Sequence, residues 1–404
     1  MHDGKFTGSG QSSVVASPSA ALGRGGESPV VWLLLGERQG DNAQVRALGL
    51  ALCQTLGWRS ETRQLYFDED CQVPFSKRGS TLTGLDIARS EPLKAPWPDV
   101  ILAVGRRTAS VSQWIKKQTG GRALSIHLGR VRDAIERFDL ILTTPQYALP
   151  SSDNVLETVL PMTHADEAEL VAAASDWQPQ LDHLPRPWTA LFVGGPTTQM
   201  KFDAEVAEDL LDKILAHVGG KGSLLVTTSP RTSMDVCDLI EHRINVPNYV
   251  FRWSRGAPNP YRAFLKLADS FVVTNDSPAM VAELVDRQKP VFLYEIPFRE
   301  KVDAVGMAHM LRQHFRGRRL SRQKANLKPD LIDWIYDHLI RKGKARPRRD
   351  AFAFTQSLYR IGAVHSLTVQ TGAKVAAPDR PVTAVERDLV VARIKKLYDA
   401  KGRK

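Results

Sequence analysis

The sequence predicts an α/β protein made of two doubly wound, Rossmann-like domains that face a cleft. Three observations lead to this fold class: short apolar runs that end in glycine, amphipathic segments between them, and a repeat of this alternation after a linker that contains proline. Apolar runs of strand length are typical of strands buried on both faces of a parallel sheet. The chain has 404 residues, which is enough for two domains of ordinary size.

The first predicted domain covers residues 28–183. The apolar run Pro29–Leu35 ends in Gly36, and the segment Asn42–Leu56 follows with apolar residues at helical spacing. The same reasoning predicts further strands at Asp99–Val104, Ala123–His127 and Phe138–Leu142, and a helix at Arg107–Gln118. This alternation predicts a parallel sheet with helices on both faces.

The second predicted domain covers residues 184–311. It follows the acidic helix Asp166–Ala174 and the linker Leu184–Pro187, which contains two prolines. Its strands are predicted at Trp188–Val193, Ser223–Thr227, Asn248–Phe251, Ser270–Val273 and Pro290–Tyr294, with helices at Ala204–Val218, Met234–Arg243, Tyr261–Leu267 and Pro278–Asp286. Ligands of open α/β sheets bind at the carboxyl ends of strands, so the site is expected between the two domains.

Three segments lie outside the two domains. Residues 1–27 lack an apolar signal region and predict a disordered leader. Residues 312–350 form a basic segment, and residues 351–404 a helical extension whose helix Ala384–Asp399 is a candidate to pack back on the first domain.

The basic segment carries most of the net charge. The stretch Arg312–Arg349 contains 13 Lys or Arg and 3 Asp, a net charge of +10, against +11 for the whole chain. Such a patch suits anionic lipid, a polyanionic glycan or nucleic acid, or it is a solvated tail. Leu331, Ile332, Ile335 and Leu339 would share one face of a helix with Trp334, which predicts an interfacial helix or one buried against the core.

Composition excludes several classes of protein. Hydrophobic residues make up 43% and charged residues 25%, as in ordinary globular proteins. The longest apolar run, Val30–Leu35, is far shorter than the ~18 residues of a membrane helix. Cys53, Cys71 and Cys237 are widely spaced, so neither a disulfide framework nor a zinc site is expected, and a reducing cytoplasm fits best.

Two strand ends in the second domain offer polar groups. The segment Thr227–Thr232 is expected to present hydroxyls and one guanidinium at a helix N-terminus, where they are donors suited to a diphosphate, or to form an ordinary helix cap with Arg231 in solvent. The segment Thr274–Ser277 leads into a helix that Asp276 or Ser277 can cap. In that helix, Glu283 can accept hydrogen bonds from ribose hydroxyls or can point to solvent.

Two strand ends in the first domain are also candidates. Gly36–Asn42 opens a helix that Asp41 or Asn42 is expected to cap, with a ligand-binding role besides. Gly105–Thr108 contains paired arginines, which can bind a phosphate or carboxylate or can be solvated. Tyr147 and Asn154 are expected to face the cleft. His127 and His164 are isolated, so they are interpreted as polar neighbours and not as ligands.

Taken in order, these residues resemble the "elongated mitochondria" family, whose plant members are tied to mitochondrial division and whose bacterial members are assigned as outer-core glycosyltransferases. The matching stretches are Gly40–Gln44, Pro98–Thr108, Phe138–Leu140, Asn154-Val155, Val193–Gly195, Thr228–Thr232 and Val273–Ser277 with Met280 and Glu283. Together they extend over residues 29–296.

The resemblance implies the GT-B architecture and a nucleotide-sugar donor held by the second domain. The donor residues it implies are Gly195, Thr228, Ser229, Arg231, Thr232, Asn275, Asp276, Ser277 and Glu283. The acceptor or cleft residues are Gly40, Asn42, Arg106, Arg107, Tyr147 and Asn154. Asp41 is the candidate base. No metal and no cofactor are expected, and the nucleotide-sugar acts as co-substrate.

The chain departs from the family at two places: Pro230 stands where a second arginine is common, and Gln146-Tyr147 stands where a His-Asp pair is common.

The leading hypothesis is a metal-independent glycosyltransferase acting on a glycan or lipid-linked acceptor, with a non-catalytic adaptor and a nucleotide-sugar epimerase as alternatives. A dehydrogenase is disfavoured because the dinucleotide fingerprint is missing. Nucleic acid is not an expected partner. The expected location is the cytoplasm, or peripherally the inner face of the cytoplasmic membrane.

Overall fold

The computed structural model describes residues 28–68, 80–131, 133–299, 331–345, 347, 350–368 and 381–402. The predicted leader and residues 312–330, 346, 348 and 349 of the predicted basic segment lie outside the described residues, as does Cys71.

The first domain contains a six-stranded parallel sheet. Its strands are β1 (Val30–Leu35), β2 (Arg59–Gln64), β3 (Val100–Val104), β4 (Leu124–Leu128), β5 (Leu140–Thr143) and β6 (Val155–Glu157), in the order β2-β1-β3-β4-β5-β6. Helix α1 (Gln39–Leu56) covers one face and α2 (Arg106–Gln118) the other. Because β1, β3, β4 and β5 are buried on both faces, their sequences are mainly apolar runs.

The second domain repeats this plan. Its strands are β7 (Trp188–Phe192), β8 (Ser223–Thr227), β9 (Asn248–Phe251), β10 (Ser270–Thr274), β11 (Val291–Tyr294) and β12 (His365–Ser366), in the order β12-β11-β10-β7-β8-β9. The helices are α3 (Glu167–Leu181), α4 (Ala204–Val218), α5 (Met234–Arg243), α6 (Tyr261–Leu267) and α7 (Pro278–Val285). Two apolar clusters fill the two faces of the sheet.

Three later helices connect the two domains. Helix α8 (Leu331–Arg341) packs Ile340 against the first domain, beside a short turn at Ile135–Arg137. Helix α9 (Ala351–Arg360) places Phe354 and Leu358 in the core of the second domain. Residues 351–367, assigned from sequence to an extension, therefore pack with the second sheet.

Helix α10 (Val382–Gly402) spans both domains. Near its start, the Thr383 hydroxyl bonds the carboxylate of Asp286 at the end of α7. Further along, Val390 and Ile394 are fully buried in the first-domain core. The Lys401 ammonium lies 3.1 Å from Asp139 Oδ1. The two doubly wound halves and this returning helix form the GT-B architecture expected from the sequence.

Strand order brings particular loops together. In the first sheet, β2 lies on one side of β1 and β3 on the other. The order in which successive strands are added across the sheet therefore reverses between β1 and β3, although all the strands are parallel. In the second sheet, the corresponding reversal lies between β7 and β10. Loops diverge at such switch points and leave a crevice at the carboxyl ends of the strands, where ligands of this fold class bind.

No helix in the described part of the chain is long and apolar enough to cross a membrane.

Candidate functional site

A cavity of about 440 Å³ lies between the two domains. From the first domain it is lined by residues that include Arg38, Gly40, Asp41, Gln44, Gly129, Gln146 and Tyr147, and from the second by Arg231, Asp276, Ser277, Pro278 and Ala279. Its walls therefore come from the carboxyl ends of both sheets, as the sequence predicts.

The second-domain switch point is organised around Asp276. Its side chain is completely buried and lies 2.6 Å from Nη2 of Arg231, which is 44% exposed. Gly195 N–H and the Thr274 hydroxyl also donate to this carboxylate, at 3.1 and 2.6 Å. A buried carboxylate is tolerated when an ion pair and hydrogen bonds satisfy it, so Asp276 fixes Arg231 at the cavity.

Two glycines make this arrangement sterically possible. A Cβ on Gly194 would lie 2.1 Å from Asp276 Oδ1, and one on Gly195 would lie 2.4 Å from the carbonyl oxygen of Arg231. The predicted Gly-Gly end of β7 thus serves close approach of the backbone to Asp276 and Arg231.

The loop at Ser229–Thr232 is bonded internally and to the end of β7. The Thr232 hydroxyl donates to the Gly194 carbonyl at 2.6 Å and accepts from Ser229 N–H at 2.9 Å. The Thr228 hydroxyl accepts from Trp253 N–H at 2.9 Å. Helix α5 begins only at Met234, with Ser233 as its N-cap residue. The expectation that these hydroxyls stand at a helix N-terminus is corrected, because they shape the loop that presents Arg231.

The capping expectation for α7 also needs correction. Ser277 is the N-cap residue, yet its side chain makes no capping hydrogen bond, and the Asp276 carboxylate is turned toward Arg231. Asn275 is buried, accepts from Ile296 N–H at 3.0 Å, and lies at hydrogen-bond distance from Thr355 of α9. Asn275 therefore positions the loop, while Ser277 lines the cavity.

Glu283 lies away from the residues that line the cavity. Its Oε2 accepts from the Tyr261 hydroxyl at 2.5 Å, and burial raises the pKa of the carboxyl. Tyr261 is half-buried beside it, and desolvation followed by the charge of Glu283 raises the pKa of the phenol well above its ordinary value. Glu283 thus points into the α6–α7 interface and not to solvent.

Asp41 lines both the interdomain cavity and a second cavity in the first domain. Burial raises the pKa of its carboxyl above the usual 3.8, and the nearby Arg38 partly opposes this effect. Among the described residues, its carboxylate has no hydrogen-bond partner. A half-buried carboxylate with raised basicity has the chemical character of a general base.

The expected N-cap of α1 is wrong by several residues. The helix begins at Gln39, and Arg38 is the N-cap residue. Asn42 lies inside the first turn, where its side chain accepts from Gly36 N–H at 2.9 Å and donates to the Gly36 carbonyl at 2.8 Å. Asn42 therefore fixes the loop after β1, and this frees Asp41 to face the cavity.

The other predicted first-domain residues separate into two groups. Gly40 and Tyr147 line the interdomain cavity, and Arg106 and Arg107 line a neighbouring cavity. Asn154 does not face the cleft as expected. Its amide donates to the carbonyls of Ile135 and Phe138, both at 2.9 Å, so it stabilises a turn.

Sequence reasoning missed two arginines. Arg38 lines both the interdomain cavity and the first-domain cavity, and Arg130 lines the first-domain cavity. Arg38 follows the first strand by three residues and could have been found from that position. Arg130 follows β4, where the sequence offers no motif.

His127, interpreted from the sequence as a polar neighbour, is a buried core residue. It is 1% exposed, its ring lies 5.1 Å from that of Phe138, and burial lowers its pKa to about 4. It is therefore neutral at physiological pH.

Comparison with known proteins identifies relatives of the chain. The family model described as mitochondrial fission ELM1 matches residues 39–338. The mitochondrial fission protein ELM1 of Arabidopsis thaliana is 27% identical over 218 residues, which are 48% of this chain and 51% of that protein. The uncharacterized protein RP120 of Rickettsia prowazekii is 24% identical over 236 residues, 50% of this chain and 65% of that protein. The match thus spans about half to two thirds of these curated relatives.

Solved structures show a weaker similarity. The UDP complex of S. aureus MnaA has a TM-score of 0.39 at 11% identity, covering 85% of this chain and 100% of that one. Arabidopsis thaliana UGT89C1 complexed with UDP-L-rhamnose has a TM-score of 0.41 at 13% identity, covering 91% and 99%. The family 9 glycosyl transferase of Veillonella parvula has a TM-score of 0.35 at 10% identity, covering 71% and 91%. These TM-scores are low, so the fold is defined by the chain's own strand order.

The family match covers well over half of the chain and includes Asp41, the arginine-lined loops and the Asp276 switch point, so the chain belongs to the mitochondrial fission ELM1 family.

Proposed function

We propose that this protein is a glycosyltransferase that moves a sugar from a nucleotide-sugar donor to a glycan or lipid-linked acceptor. The observation that supports the proposal is the interdomain cavity, which brings Asp41 of one domain and Arg231 of the other to the same space. A base on one side and a guanidinium on the other are the two groups that metal-independent sugar transfer needs.

The donor diphosphate is proposed to bind the second domain. Arg231 supplies a fixed positive charge, and α7 begins at the cavity without a side-chain cap at Ser277. Free N–H groups at a helix N-terminus favour negative charge.

The proposed reaction has one proton transfer and one displacement. Asp41 takes the proton of an acceptor hydroxyl, and the hydroxyl oxygen forms a bond to the anomeric carbon of the donor. The bond between that carbon and the diphosphate oxygen breaks, and its electron pair leaves with the diphosphate. Arg231 stabilises the charge that develops there.

The experiment is a thermal-shift and product assay with UDP-, GDP- and CMP-sugars on the wild type, Arg231→Gln and the exposed control Glu208→Ala. We expect one nucleotide-sugar to raise the melting temperature, Arg231→Gln to weaken this effect, and Glu208→Ala to leave it unchanged. Absence of stabilisation by every nucleotide would contradict the donor site. Unchanged binding to Arg231→Gln would contradict only the assignment of Arg231 to the diphosphate.

A non-catalytic adaptor is the second candidate, favoured by Gln146. Its backbone carbonyl accepts from Asp350 N–H at 2.7 Å and so helps to dock the start of α9, while its buried side-chain amide lies 3.2 Å from the Thr144 hydroxyl at the cavity. Nucleotide binding without hydrolysis or transfer of the sugar would favour the adaptor. Isomerisation of the sugar without any acceptor would favour an epimerase.

We further propose that α8 places the protein on the inner face of an anionic cytoplasmic membrane. Its apolar residues Leu331, Trp334, Ile335 and Leu339 are 71, 61, 45 and 36% exposed, and their spacing puts them on one helix face. Ile332 is only half-buried, while Ile340 packs inward. The net charge of +10 between residues 312 and 349 complements anionic lipid.

Sedimentation with vesicles tests the membrane proposal. We expect binding to vesicles of phosphatidylcholine with phosphatidylglycerol and not to phosphatidylcholine alone. Trp334→Ser should reduce this binding, whereas Met234→Ser, at a 74% exposed position in the second domain, should not. Equal binding by wild type and Trp334→Ser would contradict a role for α8.

A further inference from the structure

A second cavity, of about 460 Å³, lies at the switch point between β1 and β3 of the first domain. We propose that this cavity binds an anionic group, a phosphate or a carboxylate, carried by the acceptor. That the ligand is an acceptor rests on the proposed glycosyltransferase function. That the ligand is anionic follows from the residues that line the cavity.

The charges in this cavity do not balance. Four arginines line it, Arg38, Arg106, Arg107 and Arg130, against the two carboxylates of Glu37 and Asp41. They come from the loop after β1, the start of α2 and the loop after β4. An excess of guanidinium groups in a concave site selects anions, and their planar donor sets match phosphate and carboxylate oxygens.

Arg106 is a partly buried guanidinium that is available to a ligand, whereas Arg38 is exposed. Arg107 lies 3.0 Å from Glu37 Oε2, and Nη2 of Arg130 donates to the Pro347 carbonyl at 2.9 Å. Arg106 is half-buried, and among the described residues it has neither a hydrogen-bond partner nor an ion-pair partner. Partial burial of a charge without a partner is costly, and an anion in the cavity would remove that cost.

The backbone adds to the same preference. Helices α1 and α2 both start at this cavity, and neither Arg38 nor Gly105 at their N-caps supplies a side-chain hydrogen bond. Gly105 has a φ of 82°, a conformation that favours glycine. Two helix N-termini beside four guanidiniums make an anion the matching ligand.

The position of Asp41 relates this cavity to the proposed chemistry. Asp41 lines both the arginine cavity and the interdomain cavity. An acceptor anchored by its anionic group beside Arg106 would extend past Asp41 toward Arg231. The anionic group would thus select the acceptor and position its hydroxyl group.

Calorimetric titration of the full chain tests the proposal with four probes: glucose 6-phosphate, glucuronic acid, neutral glucose and UDP. The variants are Arg106→Gln, Arg231→Gln and the exposed control Arg46→Gln, which lies on α1 outside the cavity. We expect one or both charged sugars to bind more tightly than glucose and to lose about tenfold or more in affinity in Arg106→Gln, since one charge-assisted contact is lost. Arg231→Gln and Arg46→Gln should keep this affinity.

The possible results separate the two proposals. Binding of glucose 6-phosphate alone or glucuronic acid alone supports the anion site and identifies its chemistry. If neither binds more tightly than glucose, or if Arg231→Gln loses them as strongly as Arg106→Gln, the inference is overturned. UDP tests the donor site separately. We expect the affinity for UDP to be lost in Arg231→Gln but not in Arg106→Gln. Failure of UDP to bind the wild type contradicts the proposed function and leaves the anion result to stand on its own.

Discussion

At the scale of single residues, partners distant in sequence decide what a side chain does. Asp276 looks like a helix cap, yet it binds Arg231, which is 45 positions earlier. Asn154 looks like a cleft residue, yet it holds two carbonyls of a turn 16 and 19 positions earlier. Glu283 was expected at a ribose or in solvent, and it faces Tyr261. Their proximity in sequence to strand ends was predictable, but their hydrogen-bond partners were not.

Asp41→Asn tests the proposed base. We expect sugar transfer to fall ~10²- to 10⁴-fold, the usual contribution of a general base, while UDP binding is retained. Because burial raises the pKa of Asp41 and only its carboxylate accepts a proton, the rate should be low at acid pH. It should rise through a pKa above 3.8 and then level off.

A pH–rate profile with an acceptor in excess provides the measurement. Asp153→Asn, at an exposed position of the same domain, is the control and should match the wild type. An Asp41→Asn enzyme with wild-type rates would assign the base elsewhere.

Gly195→Ala tests the close approach at the second switch point. The new Cβ would lie 2.4 Å from the Arg231 carbonyl oxygen, so the loop must move. We expect a loss of ~1–3 kcal/mol in the free energy of unfolding and weaker UDP binding, measured by thermal denaturation and calorimetry. Gly402→Ala, where nothing lies within 4 Å of the added Cβ, should change neither. Unaltered UDP affinity in Gly195→Ala would count against this switch point as the donor site.

At the scale of secondary-structure elements, burial decided which strands could be predicted. Strand Ser223–Thr227 is fully buried and was predicted with its observed bounds. Strand Arg59–Gln64 was not predicted, because it lies at the sheet edge with the polar sequence RSETRQ. The strand His365–Ser366 has two residues, which is too short for any periodicity. Helix α1 begins earlier than predicted. Its start could not be read from the sequence, because the N-cap residue Arg38 makes no side-chain capping hydrogen bond.

Asp350→Ala tests how α9 is fixed between the domains. The Asp350 carboxylate accepts from the N–H groups of Phe352 and Ala353, at 3.1 and 3.2 Å. Removal of such a cap costs ~0.5–2 kcal/mol, which denaturant unfolding would measure. Asp350→Asn should recover part of the loss, because its amide oxygen still accepts. An Asp350→Ala protein as stable as the wild type would show that α9 is held by packing alone.

At the scale of the whole molecule, the chain crosses between the domains several times. The linker leads from the first domain to the second. Helix α8 then packs on the first domain, α9 on the second, and α10 contacts the second domain and then the first. The fold class and the division into two doubly wound halves were predictable, because each half repeats the same pattern of strands and helices. The crossings between the domains were not predictable from the sequence. The residues that dock these helices on a domain, such as Ile340 and Phe354, have no distinguishing sequence pattern.

Ile394→Asp tests the coupling through α10. Ile394 is fully buried in the first-domain core, and an unpaired buried charge costs several kcal/mol. We expect faster amide hydrogen exchange in β1 and β3 with little change in β7 and β8. Leu389→Asp, on the same helix at a 54% exposed position, is the matched control. Equal acceleration in both sheets would show instead that the molecule unfolds as one cooperative unit.

His127 is expected to make the molecule sensitive to acid. Its pKa is about 4 in the fold against ~6.5 in an unfolded chain. The unfolded chain therefore takes up a proton first as the pH falls. The stability due to neutral His127 is present above pH ~6.5 and is lost progressively toward pH ~4, by about 3 kcal/mol in total.

Urea unfolding at several pH values would measure this slope. His127→Leu should flatten it, whereas Ile126→Val, a buried change on the same strand, should lower stability without changing the slope. An unchanged slope in His127→Leu would assign the acid sensitivity to carboxylates.

The burial of Asp276 has a consequence for the energetics of ligand binding. A free arginine side chain samples many rotamers, and immobilising it costs up to ~2 kcal/mol. Asp276 restricts Arg231 while the protein folds, and Asp276 is itself held by Gly195 and Thr274. The guanidinium is thus preorganised before an anionic ligand binds. The entropic cost of ordering the Arg231 side chain is therefore part of the free energy of folding. Because ligand binding does not carry this cost again, more of the interaction energy contributes to affinity.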